Sequence, residues 1–277
     1  MMALPVGLAI YLCRKFGMGW RLIGIGAATF VLSQAGHLPF NAGLTLLFQQ
    51  KILPSPPQSW AHGFNAAVLG LSAGLWEELS RYAVYRWWAK DARQWRQGVL
   101  MGVGHGGMEA LLLGALVLMT FFQMVILRNL NLSAVVPADQ LQLAQEQVAR
   151  YWSAPWYASL LGAFERAFTI PLQILFSVLI LQVFVRRNHT WLWLAVGLHA
   201  FIDASAVLAN QAWGAYATEL LIGLFSAAGI YWLLALSRQE PPPPQLEERL
   251  PAPPAPTLTM AEESRESLER TKYTGGS

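Results

Sequence analysis

The chain has 277 residues, 55% of them hydrophobic and only 13% charged, with a mean hydropathy of +0.37. Soluble domains carry roughly 25% charged residues, so the bilayer is the solvent here, and an ordinary cytosolic enzyme, a disordered chain and a basic nucleic-acid-binding protein are excluded. The formal net charge of +3 comes from short Lys/Arg clusters between apolar runs; these are topology signals, and no nucleic-acid partner is expected.

A spanning helix needs about 20 mostly apolar residues. Such runs lie at about 2–13, 20–48, 60–86, 97–127, 155–185, 190–210 and 215–237. The first is short, like a signal-peptide core. No basic residue precedes it and no small-residue cleavage site follows, so it is read as a short first helix. Between the fourth and fifth runs, Pro137 is followed by a polar, helix-favouring stretch from Asp139 to Arg150, expected to lie on the outer surface as an interfacial helix. From Arg238 onward come eight of the 16 prolines and few large apolar residues, the composition of a disordered tail. The expected fold class is therefore all-α: a polytopic transmembrane bundle over residues 1–237, followed by a cytoplasmic Pro/Glu-rich tail over 238–277. Cys13 is the only cysteine, which leaves no intrachain disulfide and no thiolate metal cluster.

The basic residues orient the bundle. Arg14, Lys15 and Arg21, then Arg86, Lys90, Arg93 and Arg96, then Arg186 and Arg187 fill the odd loops. The even loops hold only Lys51, Arg128 and Arg150. The positive-inside rule then places the odd loops in the cytoplasm. Seven spans follow, with the N-terminus outside and the C-terminus inside.

Several charges lie inside the apolar runs: Glu77, Glu78, Arg81, Glu109, Glu165, Arg166, Asp203 and Glu219, together with His37, His105 and His199. A charge at the bilayer centre costs about 2.5–3.5 kcal/mol on insertion scales, and such residues face the bundle interior as functional sites by default. Helix spacing pairs Arg81 with Glu77 and Glu78, His105 with Glu109, His199 with Asp203 and His37 with Asn41, because residues three or four apart share a face. At 1.5 Å rise per residue, Glu78, His105 and His199 lie about 12, 13 and 15 Å from the cytoplasmic boundary. Glu109 and Asp203 form a second layer at about 20 Å, and Gln173 falls at that level too. Glu165 fits neither layer. The glycines Gly102, Gly104, Gly106 and Gly107 around His105 suit close approach of another backbone, from a neighbouring helix or a substrate.

Two chemistries suit this set. In the first, Glu78 or Glu77 is a general base for water, Arg81 keeps the neighbouring glutamate ionised, and His105 or His199 donates to the oxyanion of a peptide tetrahedral intermediate. In the second, His105, His199 and Glu78 hold Zn²⁺, which acidifies its water. No His-Glu-x-x-His stands in the chain, so the metal-free version is favoured and no cofactor is expected, with zinc as the alternative.

The runs Glu77-Glu78-Leu79-Ser80-Arg81, Gly104-His105-Gly106-Gly107-Met108-Glu109-Ala110, Glu165-Arg166 and His199-Ala200-Phe201-Ile202-Asp203 together resemble the YhfC family of bacterial membrane proteins. That family looks related to the superfamily of type II CAAX prenyl proteases and bacteriocin-processing proteins, glutamate-dependent intramembrane peptidases that also include a non-catalytic scaffold. The resemblance implies a peptidase acting on a membrane protein or peptide in or near the bilayer, with Glu77, Glu78, Arg81, His105, Glu109, His199 and Asp203 in its site and Glu165 and Gln173 beside it. Two features depart from the pattern. Only Leu79 and Ser80 separate the glutamate pair from Arg81, against three residues in the prenyl proteases. Gln173 stands where a histidine is expected, and glutamine can donate to an oxyanion but cannot titrate. A membrane scaffold without chemistry and a proton-coupled transporter are the alternative readings.

Overall fold

The computed structural model of the protein describes residues 1–239 and Glu269. The expected disordered tail falls almost wholly outside the described residues. Within residues 1–239 the chain is helical: α1 (Ala3–Phe16), α2 (Arg21–Gln49), α3 (Ala61–Trp87), α4 (Trp95–Asn129), α5 (Leu141–Ser153), α6 (Leu161–Val185), α7 (Thr190–Trp213) and α8 (Ala215–Arg238), with short 3₁₀ turns at Leu132–Ala134 and Trp156–Leu160. Each apolar run of the sequence is one of these helices. The structure is an all-α, multi-pass membrane bundle.

Five of the helices, α2, α4, α6 with its preceding 3₁₀ turn, α7 and α8, are long and apolar enough to cross a membrane by length and composition. The sequence predicts seven spans. α1 falls short at 14 residues, and α3 carries Glu77, Glu78, Arg81 and Arg86 within its 27 residues. The outer faces suit lipid: Leu116, Met119, Phe122 and Ile126 on α4 and Leu220, Leu224 and Tyr231 on α8 are exposed. Trp20, Trp60, Trp87, Trp88, Trp156 and Trp213 are exposed at helix ends, where amphipathic rings favour the membrane–water interface.

Small residues set the distances between helices. A Cβ on Gly26 of α2 would overlap the carbonyl of Met101 on α4, and one on Gly104 of α4 would overlap the backbone of Ile23. On α3, Gly70 meets the backbone of Ala200, and a Cβ on Gly74 would stand 2.7 Å from the carbonyl of Val196 on α7. Gly102 of α4 lies against the backbone of Ile174 on α6, and a Cβ on Gly106 would come 2.8 Å from that of Gln173. The glycines around His105 therefore serve helix packing: small residues let backbones approach where lipid offers no hydrophobic drive for association. α6 is the most enclosed helix, buried almost without interruption from Ile170 to Val183, and Tyr85 of α3 shares a 3.0 Å hydroxyl–hydroxyl hydrogen bond with its Ser177.

α5 buries none of its residues and lies against α4. Trp152 Nε1 donates to the Met124 carbonyl at 3.3 Å, and the Arg128 guanidinium sits 4.6 Å above the Trp152 ring. It starts at Leu141, one residue beyond Gln140 and slightly later than the polar run predicts.

Candidate active site

α3 supplies three charges to one face. Glu77 and Arg81 are four apart and Glu78 and Arg81 three apart, so all point toward α6 and α7. Arg81 donates through Nη1 to Glu78 Oε1, and through Nη2 to Gln173 Oε1 and, at 3.4 Å, to Glu77 Oε2. The Gly70 and Gly74 contacts hold α7 close enough for His199 Nδ1 to meet Glu78 Oε1 at 2.7 Å. His199 Nε2 then lies 3.9 Å from Glu77 Oε2 and 3.5 Å from Asp203 Oδ2. From α4, His105 Nε2 meets the same Glu77 Oε2 at 3.0 Å. The spacing paired His105 with Glu109 on its own helix. In the structure its ring turns to α3 instead, because Gly102, Gly104 and Gly106 bring α4 in among its neighbours. Glu78, Arg81 and His105 are at most 1% exposed and His199 3%.

Aromatic rings lock the imidazoles. Phe176 stacks on His199 at 4.5 Å and 8° between planes, and Phe30 meets His105 edge-on at 5.3 Å. Gln173 is the hub of the site. Its carbonyl accepts from Arg81, while its amide donates to Glu77 Oε2 at 3.3 Å and Glu109 Oε2 at 3.0 Å. On the far side Arg166 donates to Glu109 Oε1 at 2.5 Å and to its neighbour Glu165. Helix rise alone puts Glu165 outside the site. The structure brings it in through Arg166, because rise locates a Cα on a straight axis and leaves out the reach of the side chain.

A cavity of about 340 Å³ opens onto this cluster, and Glu77, Glu109, Glu165, Gln173, His199 and Asp203 line it. Glu78 does not. It stands behind the wall with Oε2 buried and without a hydrogen-bond partner. Two residues join the site that charge counting passes over. Gln34 of α2 donates to Glu77 Oε1 at 3.4 Å. Ser72 of α3 lies 3.1 Å from His37 Nε2, which also takes the Asn41 amide at 2.8 Å. Their signal in the sequence is weak: Gln34, His37 and Asn41 repeat at helical spacing on α2, but neutral residues leave no trace in a search for buried charge.

The donor types fit zinc. Two imidazole nitrogens, His105 Nε2 and His199 Nε2, approach one carboxylate oxygen, Glu77 Oε2, at 3.0 and 3.9 Å. Neighbouring ligand atoms on a tetrahedral zinc lie roughly 3.4 Å apart, and histidine pairs completed by a glutamate are a known zinc set. Glu78 on His199 Nδ1 matches the carboxylate that orients a ligating imidazole and leaves Nε2 free. Among the described residues, no three of these side chains close into a coordination shell. The sequence names Glu78 as the third ligand if a metal is present; in the structure Glu78 Oε1 is taken by Arg81 and His199 Nδ1, and the carboxylate oxygen that both imidazole Nε2 atoms approach belongs to Glu77.

A family model described as YhfC intramembrane metalloprotease matches residues 1–226, a stretch that includes every site residue above. The protein of Bacillus subtilis (strain 168) called uncharacterized membrane protein YhfC is 29% identical over 240 residues, covering 85% of this chain and 92% of its own length. No solved structure matches.

Proposed function

We propose, from the premise that this chain belongs to the YhfC family, that it is an intramembrane peptidase that cuts a membrane protein or peptide in or near the bilayer. The supporting observation is the convergence of His105 and His199 on Glu77 at the wall of a cavity within a membrane bundle. On the loop charges, the chain crosses the membrane seven times with its N-terminus outside.

Glu77 is the cavity-facing carboxylate and the general base that takes a proton from water. Glu78 is a positioning residue. It holds Nδ1 of His199, so that Nε2 faces the cavity, and it anchors Arg81. With Nδ1 on Glu78, His199 Nε2 donates to an oxyanion only in the imidazolium form, and the Gln173 amide donates on releasing Glu77 or Glu109. Gln173 does this without titrating, so it is compatible with hydrolysis. The family's printed description and the donor set favour a second version, in which His105, His199 and Glu77 would hold zinc, and the metal would supply acidified water and a Lewis acid.

The test compares the termini of membrane proteins in cells making the wild type with those in cells making Glu77→Gln at equal abundance. New termini near membrane segments, present only with the wild type, are expected and identify the substrate. Their loss on chelation, with restoration by zinc, selects the metal version. No difference between folded, inserted proteins overturns the peptidase reading in favour of a scaffold.

A further inference from the structure

Away from this site, a cleft of about 500 Å³ opens between the C-terminal end of α1, the N-terminal end of α4 and the C-terminal end of α8. Its walls are apolar: Leu12, Val99, Ile174, Ile230 and Leu233. At its rim stand two cations, Lys15 and Arg96. Among the described residues neither has an acidic partner. Lys15 Nζ lies 5.4 Å from the Tyr11 ring and the Arg96 guanidinium 5.6 Å from the Phe16 ring. Asp91, in the loop before α4, is taken by Arg21.

We propose that this cleft binds one anionic phospholipid, with its phosphate between Lys15 and Arg96 and an acyl chain along the apolar wall. Charge and depth together select this occupant. Lys15, Arg96 and Ser237 sit at helix ends, at the level of headgroups. Val99 lies about 4.5 Å deeper than Arg96, and Ile230 about 10 Å deeper than Ser237, by helix rise. A cationic rim over such an apolar wall complements an amphiphile with an anionic head. A free phosphate leaves the apolar wall without a partner, and an apolar helix leaves both cations without one. The volume lies within the roughly 300–1,000 Å³ of ligand pockets, and basic pockets between helices at the cytoplasmic side of a membrane are a recurrent form of lipid headgroup site. The end of the bundle is also the right one, since it carries most of the loop Lys and Arg. The site does not depend on the peptidase reading.

Native mass spectrometry of the full chain, released from detergent micelles doped with palmitoyl-oleoyl phosphatidylglycerol or the matching phosphatidylcholine, tests this directly. One phosphatidylglycerol is expected to stay bound in preference to phosphatidylcholine. Lys15→Gln with Arg96→Gln should lower that preference roughly 25-fold, at roughly 5-fold for each cation. Both side chains are exposed, so the fold should survive, and circular dichroism checks it. Lys90→Gln with Arg187→Gln removes two exposed cations at the same end but outside the cleft, and should leave the preference unchanged. Three results overturn the proposal: an equal loss in that control, which means diffuse surface attraction; equal competition by soluble glycerol phosphate, which means a simple anion site; and no lipid preference in the wild type.

Discussion

Glu77 and Glu78 are adjacent in sequence and differ in what they touch. Glu78 has Arg81 and His199 on one oxygen and no exposure, whereas Glu77 faces the cavity. Removing one partner from a buried charged network costs about 3–5 kcal/mol, because it leaves the other charge without compensation. Glu78→Gln should therefore lower the thermal midpoint in detergent substantially, and Glu77→Gln should lower it less while abolishing product. Gln173→Leu strips hydrogen bonds from Arg81, Glu77 and Glu109 at once. Each group keeps another partner, but a hydrogen bond to a charged group is worth about 1.5–3 kcal/mol, so this variant should unfold several degrees below the wild type by the same measurement. Much of the residue set is legible in the sequence, since Glu77, Glu78, Arg81, His105 and His199 are ionisable residues inside apolar runs, where each is costly to bury, and Glu78, His105 and His199 share one depth. The order of contacts is not legible. That His105 meets Glu77 and not Glu109 depends on the register between α3 and α4, and periodicity along one helix carries no information about its neighbour.

At the level of elements, glycine contacts set how closely the helices pack: α4 against α2 and α6, and α3 against α7. At Gly74 a Cβ would press on the Val196 carbonyl, while at Gly197 of α7 it would meet nothing within 4 Å. Gly74→Ala should push α3 from α7 and cost about 1–3 kcal/mol as an overpacked contact does. Gly197→Ala should be neutral or stabilising by about 0.5–1 kcal/mol, through helix propensity alone. Thermal unfolding of the two variants side by side separates packing from composition. The same displacement carries Glu78 away from His199, so product formation should fall with Gly74→Ala and hold with Gly197→Ala. In the sequence all these glycines look alike. The helices themselves are easier to read, because long apolar runs are visible one segment at a time, and even α5 is announced by Pro137 and its polar run.

At the scale of the whole molecule, most of the site is carried by the helices that pack around α6. α3 brings the glutamates, α4 and α7 each bring a histidine, and α6 brings Gln173. Yet α3 is not among the helices apolar enough to cross a membrane unaided. Its entry is helped within the helix by the Arg81 contacts to Glu77 and Glu78, and then by His105 and His199 from helices made later. A reporter joined after residue 94 should show α3 poorly inserted, and one joined after residue 213, with α7 present, should show it inserted; glycosylation-site mapping of the two fusions checks this. α7 begins about 100 residues after α3 ends, and at roughly 5–20 residues per second that is a wait of roughly 5–20 s. During that interval α3 is an unfinished client of the insertion machinery. Assembly of the charged site and commitment of the chain to the membrane are then one event, and a molecule that never completes the site presents an uninserted helix to cellular quality control.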